Sequence, residues 1–169
     1  CDAVLLAGGA WSSLFLQRHN IEFPQLKVRS SVLRTTPGPE ISPSGIFSPD
    51  FGIRRRNDGK YTLSRGGPNT VQVVPNTIRW MGKFWNTFLS EHKNLKIKLD
   101  GTFIHELFQD TRWALDNESP FEKIRVLDPT PDLKILRDAM EGLKARFPIL
   151  TELEIEECWA GMVDVTPDA

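Results

Sequence analysis

Close to its start the chain runs from an apolar stretch straight into a pair of glycines and then a helix start: Asp2-Ala3-Val4-Leu5-Leu6-Ala7-Gly8-Gly9-Ala10-Trp11-Ser12-Ser13. A short Val/Leu run closed by glycines has the pattern of a buried, parallel-type strand at its carboxyl end. Ligands of open α/β sheets bind at that end, and small residues there let a cofactor approach the backbone. No strand or glycine fingerprint precedes the run, so its partner strands are expected outside these 169 residues. The other end has the same character. Cys158-Trp159-Ala160-Gly161-Met162-Val163-Asp164-Val165-Thr166-Pro167-Asp168-Ala169 stops just after a compact Thr-Pro-Asp turn, so the chain reads as a segment of a larger protein.

Between the ends, Trp11 to Asn20 predicts a short helix, and Leu26 to Thr35 a strand with alternation at Val28, Ser30, Val32 and Arg34. Thr36 to Gly45 is too rich in Pro, Gly and Ser for regular structure. Ile46 to Ser48 can begin a strand. Asn57-Asp58-Gly59 is the strongest turn signal and predicts a hairpin between Ile53–Arg56 and Lys60–Ser64. Pro75-Asn76-Thr77 opens a helix in which Ile78, Met81, Trp85, Phe88 and Leu89 form the apolar stripe, running to about His92. Leu95 to Leu99 alternates as a strand, while Thr102 to Phe108 is undecided by periodicity. Thr130-Pro131 supplies an N-cap and a first-turn proline for a helix carrying Leu133, Leu136, Met140, Leu143 and Phe147 on one face. Leu153 to Trp159 alternates as a final strand. The order is α+β: an antiparallel-rich mixed sheet with flanking helices, and a partial α/β piece at each end.

Bulk properties exclude several classes. A net charge of -1 gives no electrostatic reason to expect nucleic acid or an anionic membrane as partner. No apolar stretch approaches the roughly 18 residues of a membrane span. Cys1 and Cys158 do not suggest a disulfide framework, and a reducing, cytoplasmic setting is the default. His19, His92 and His105 share no metal-ligand spacing, so no metal is expected. Trp80, Trp85 and Trp113 are expected in packing rather than in base stacking, since no basic groove accompanies them.

Three segments can carry chemistry. In Ala7-Gly8-Gly9-Ala10-Trp11 the glycines let the backbone run close to a dinucleotide, while the following helix offers free N–H groups. The plainer reading is a tight strand-helix turn. From its residues, Trp159 through Asp168 reads as an edge strand and a Pro-fixed turn, with Trp159 as a core aromatic. In the hairpin, period-two geometry puts Arg54 and Arg56 on one face and Arg55 on the other, and groups Tyr61, Leu63 and Arg65. Its arginines are either solvated surface or a cationic site, and as a non-catalytic module the same hairpin would dock an acidic partner.

Ala-Gly-Gly-Ala-Trp-Ser near the start and Trp-Ala-Gly-Met-Val-Asp-Val-Thr-Pro-Asp near the finish together resemble the FAD-dependent amine and amino-acid oxidoreductases. That family includes D-amino-acid oxidase, glycine oxidase, sarcosine oxidase and the bacterial D-amino-acid dehydrogenases. The resemblance continues through residues 28–35 and 53–63 and covers nearly the whole chain. It implies oxidation of the C–N bond of an amino acid or secondary amine, with hydride passing from the α-carbon to flavin N5 and water hydrolysing the imine. It also implies that 1–25 and 154–169 belong to a flavin domain and 26–153 to a substrate domain.

By the same resemblance Ala7, Gly8, Gly9 and Trp11 line the dinucleotide, and Trp159, Gly161 and Thr166 border the flavin. Tyr61 and Arg65 are the active-site candidates, with Arg54 as the alternative ligand for the substrate carboxylate, which a guanidinium fork matches. Several relatives hold the flavin through a cysteine near the Thr-Pro-Asp turn. Gly161 stands where that cysteine is expected, so FAD is expected to be non-covalent. Sarcosine oxidases carry a lysine near Tyr61 for oxygen chemistry, and Lys60 is one place off. The acceptor is therefore oxygen, a protein or a membrane quinone, the last with a membrane-associated enzyme. Homo-oligomerisation is left open, and these residues alone are expected to be inactive.

Overall fold

A computed structural model describes residues 2–66, 69–72, 75–85, 89, 95–98, 113–114 and 116–167. In chain order the elements are a 3₁₀ turn (Gly9–Trp11), α1 (Ser12–Arg18), β1 (Leu26–Thr35), β2 (Ile46–Phe47), β3 (Gly52–Arg55), β4 (Tyr61–Ser64), β5 (Asn69–Gln72), α2 (Pro75–Trp80), β6 (Leu95–Lys98), α3 (Pro120–Lys123), α4 (Leu133–Arg146), a second 3₁₀ turn (Pro148–Leu150) and β7 (Ile155–Val165). They form two compact units. One comprises Cys1–Val28, Thr70–Leu127 and Met162–Ala169, the other Arg29–Asn69 and Asp128–Gly161. We call them the turn unit and the hairpin unit. The α+β class is as the sequence predicts.

In the hairpin unit the strand order is β2-β3-β4-β1, with antiparallel pairing through β2, β3, β4 and β1, and β7 also pairs with β1. Asn57-Asp58-Gly59 makes the β3-β4 turn, with Gly59 at φ +79°, a conformation that glycine adopts without a Cβ penalty. The register places Ile53 opposite Leu63 and Leu63 opposite Leu33. These three point to one face, where α4 covers them with Leu136, Ala139, Met140 and Leu143. Phe51, Tyr61, Leu150 and Leu153 complete this core, in which Leu33, Leu63, Leu136 and Leu143 are fully buried.

Helix α4 buries Leu136, Met140 and Leu143 of the predicted stripe, while Leu133 at its start is 47% exposed and Phe147 is the residue after its end. The cap also lies further along the chain. Asp132, not Thr130, is the N-cap, accepting from the amides of Lys134 and Ile135, each at 3.2 Å. The Asp132 amide in turn donates to Ser31 Oγ at 2.9 Å, which ties the helix start to β1. The final strand extends to Val165, beyond the expected end at Trp159.

In the turn unit β5 and β6 are neighbouring strands. Its core joins Leu26, Trp80 and Phe84, with Val165 packed against them. The stripe expected to be buried is instead open: Ile78, Met81, Trp85 and Leu89 are each about half exposed. Helix α2 ends at Trp80, the chain turns through 81–84, and this geometry sends Trp80 and Phe84 inward. Both sets are apolar at near-helical spacing, so periodicity could not choose between them. Phe88, His92, Leu99, residues 102–108 and His105 lie outside the described residues.

The apolar run before the glycines also differs from expectation. Residues 2–8 form no strand, and Val4 and Leu5 are 81% and 93% exposed. A strand needs a ladder partner for its amides, and none of the described residues provides one. Among the described residues no helix is long and apolar enough to cross a membrane.

Candidate functional site

The turn after the apolar run owes its shape to both glycines. Gly9 adopts φ +51°, the left-handed region, and a Cβ there would meet no atom nearer than Asp164 Oδ1 at 3.9 Å. At Gly8 a Cβ would press on Ser12 Oγ at 3.2 Å. Ala7 and Gly9 are exposed, so the turn's backbone is open to a ligand. These features fit a dinucleotide: bare backbone, exposed, and free of side-chain bulk.

The α1 amides were expected to be free for a ligand, yet the Ser13 amide donates to Gln25 Oε1 at 3.0 Å. Gln25 is 3% exposed and also donates through Nε2 to Gly9 O at 2.8 Å and Asp164 Oδ2 at 3.3 Å. Ser13 Oγ donates to Phe23 O at 3.0 Å, closing the loop that delivers Gln25. The turn and the end of β7 are thus held together by a residue with no motif around it. Thr166 follows Asp164 by two positions and is half-buried.

Trp11 is also half-buried and packs edge-on against Phe121, with ring centroids 5.3 Å apart. Phe121 is placed by a capping box at the start of α3: Ser119 and Glu122 exchange side-chain-to-backbone hydrogen bonds. Those bonds with Ser119 hold the Glu122 carboxyl below the usual carboxylate range. The Lys27 ammonium lies 5.5 Å from the Trp11 ring centroid.

The hairpin separates the three residues expected at the active site. Tyr61 is 1% exposed, on the α4 side of the sheet, and its hydroxyl donates to Pro39 O at 2.6 Å and accepts from the Ile41 amide at 3.3 Å. It braces the Pro-rich loop. Arg65 continues the same face and stands 3.8 Å from Asp138 of α4. Arg54 lies on the opposite face, paired in register with Thr62. By the same register Gly52 pairs with Ser64 and with Phe47, and Arg34 with Thr62. The open face of the sheet therefore carries Phe47, Gly52, Arg54, Thr62, Ser64 and Arg34. Phe47 is 77% exposed there.

Charge pairing singles out one cation on that face. Arg34 bonds Glu156 at 2.9 Å and Glu157 at 3.2 Å, and Lys60 Nζ reaches Glu156 at 2.6 Å. The Lys60 hydrogen bond is the main reason the Glu156 carboxyl titrates below its usual range. Arg55 pairs with Glu40 and Arg56 with Asp58. Arg54 is exposed and makes no ion pair among the described residues. The run of three arginines is thus not one basic patch.

On β7, Trp159 is 36% exposed, whereas a Cβ on Gly161 would meet nothing within 4 Å. Packing does not require a glycine at 161. Cys158 packs partly against the hairpin-unit core, and burial pushes its thiol pKa up. Among the described residues no group of three or more His, Cys, Asp or Glu is arranged to hold a metal ion.

A family model described as FAD dependent oxidoreductase matches residues 1–169. Two solved structures resemble the chain over 96% of its length. The L-amino acid deaminase from Proteus vulgaris is 30% identical with a TM-score of 0.85, and the one from Proteus myxofaciens, in complex with anthranilate, is 27% identical with a TM-score of 0.89. The chain spans 38% and 36% of those two chains. No curated protein matches it in sequence.

Proposed function

We propose that this protein, which belongs to the FAD-dependent oxidoreductase family, oxidises the carbon–nitrogen bond of an amino acid. FAD is the family's cofactor, and when bound it supplies the hydride acceptor for such an oxidation. The likeness to two amino acid deaminases supports the substrate class. The observation that carries the reading is Arg54, an exposed guanidinium without an ion-pair partner among the described residues, on a sheet face flanked by hydroxyls.

In this reading Arg54 takes the substrate carboxylate as a two-pronged hydrogen-bond donor, and Thr62 and Ser64 line the same face. Arg34 is held by Glu156 and Glu157 and leaves that role to Arg54. Tyr61 and Arg65 act from the far face, by fixing the Pro-rich loop and the sheet-helix contact. Ala7, Gly8, Gly9 and Trp11 line the dinucleotide, and Trp159, Gly161 and Thr166 border the flavin ring. Residues 1–25 and 154–169 serve the flavin and 26–153 the substrate. FAD is held without a covalent bond: Gly161 offers no thiol, and the Cys158 thiol is turned partly into a core.

The test is product analysis with the purified full-length protein and a panel of L- and D-amino acids. The expected products are the 2-oxo acid and ammonia. Hydrogen peroxide in aerobic samples distinguishes oxygen from a quinone or protein acceptor. A flavin-loaded protein that yields no 2-oxo acid from any member of the panel overturns the amino-acid reading.

A further inference from the structure

We propose that Gln25 is a positioning residue for FAD: by bonding the Gly8–Gly9 turn, the first turn of α1 and the end of β7 at once, it sets the affinity for the flavin. The inference rests on the reading that the turn and the end of β7 face FAD.

The side chain spends its full amide on three separate segments. Its oxygen accepts from Ser13 N at 3.0 Å, and its NH₂ donates to Gly9 O at 2.8 Å and to Asp164 Oδ2 at 3.3 Å. The amide orientation is dictated by its partners, because the Ser13 N–H only donates and the Gly9 carbonyl only accepts. Gln25 is 3% exposed and the Ser13 amide is buried with it, so no water replaces that bond if it is broken. Gly9 is in the left-handed region, and without a Cβ its backbone can leave that conformation easily, so an external bond has something to hold. Gln25 therefore fixes the peptide on which close approach of a dinucleotide depends, and the same group holds Asp164 beside it. A hydrophobic residue of equal size would fill the volume but leave Ser13 N and Gly9 O unpaired.

Gln25→Glu is the sharpest variant. It keeps an oxygen for Ser13 N, loses both donors, and places a carboxylate against Asp164. Asp164→Asn, at an exposed position, then offers a donor to that carboxylate. The experiment measures FAD dissociation from the full-length protein by recovery of flavin fluorescence. It is paired with the melting temperature of each apoprotein and with Asp132→Ala, which removes the N-cap of α4 in the hairpin unit, as a variant that lowers stability away from the glycines. Gln25→Glu should weaken FAD binding by about tenfold or more, the scale of losing a buried hydrogen bond. Q25E/D164N should recover part of that loss, while Asp132→Ala lowers the melting temperature and leaves affinity unchanged. Wild-type protein that binds FAD with the same constant as Gln25→Glu, or Q25E/D164N no tighter than Gln25→Glu, overturns the positioning role and leaves the family reading standing. Wild-type protein that fails to bind FAD at all sinks the premise instead. Should Gln25→Glu not fold, Asp164→Ala, which removes the acceptor of the Gln25 amide, decides: an affinity equal to wild type rejects the proposal.

Discussion

Arg54 and Tyr61 belong to adjacent strands of one hairpin but face opposite ways: Arg54 pairs with Thr62, so Tyr61 falls on the other side of the sheet, against α4. The open side has a guanidinium without an ion-pair partner among the described residues, and the covered side has the buried phenol. Roles assigned to the two residues must differ accordingly.

Arg54→Ala should raise KM for the amino acid by roughly 10- to 100-fold, the scale of a lost charge-assisted hydrogen bond, and leave the melting temperature nearly unchanged. Arg54→Lys should recover only part of the loss, because an ammonium cannot donate in a planar fork. Steady-state kinetics with a melting curve check both. An unchanged KM removes Arg54 from the site.

Tyr61→Phe should behave in the opposite way. Losing the bonds to Pro39 and Ile41 costs about 1 kcal/mol of stability, with kcat and KM for the amino acid little altered. Tyr61→Ala opens a cavity in the core and should cost about 3–5 kcal/mol, by analogy with other buried aromatics. Chemical denaturation measures both.

Much of this was legible in the chain, and where it was not the cause is physical. The Asn57-Asp58-Gly59 turn and the Leu136, Met140 and Leu143 stripe depend on local backbone and helical period, so they appear as expected. The face of the hairpin was legible too: Ile53, Tyr61 and Leu63 are its apolar positions, which period two assigns to the core. The active-site role for Tyr61 came from the family resemblance, whereas the period-two grouping with Leu63 places it on the side of the sheet that α4 covers. Gln25 could not be found that way, since its partners are 12, 16 and 139 positions distant and a lone glutamine carries no spacing signal. The stripe after Pro75 failed because two apolar sets compete, and only the end of α2 at Trp80 selects Trp80 and Phe84.

Gly9→Ala should destabilise the protein by about 1–2 kcal/mol, because an L residue is strained at positive φ although the space beside it is open. Its FAD affinity should fall as well. Thermal melting of apo and flavin-loaded protein separates the two effects.

Glu156 carries a pH dependence of known sign. Its folded-state pKa is depressed, chiefly by the Lys60 hydrogen bond, so its stabilising contribution is present above the ordinary glutamate range. That contribution is lost as pH falls through the depressed value. Melting temperatures measured downward from neutral pH should fall more steeply for wild type than for Glu156→Gln, with the curves converging at the acid end. Parallel curves would remove Glu156 from the acid response.

The most direct measurement is the visible spectrum of the full-length protein purified without added cofactor, followed by anaerobic titration with L- and D-amino acids. Flavin bands that bleach on adding one class of amino acid are expected, with the flavin fully released on denaturation. A colourless protein that does not take up added FAD, or flavin bands that no amino acid bleaches, contradicts the proposed function.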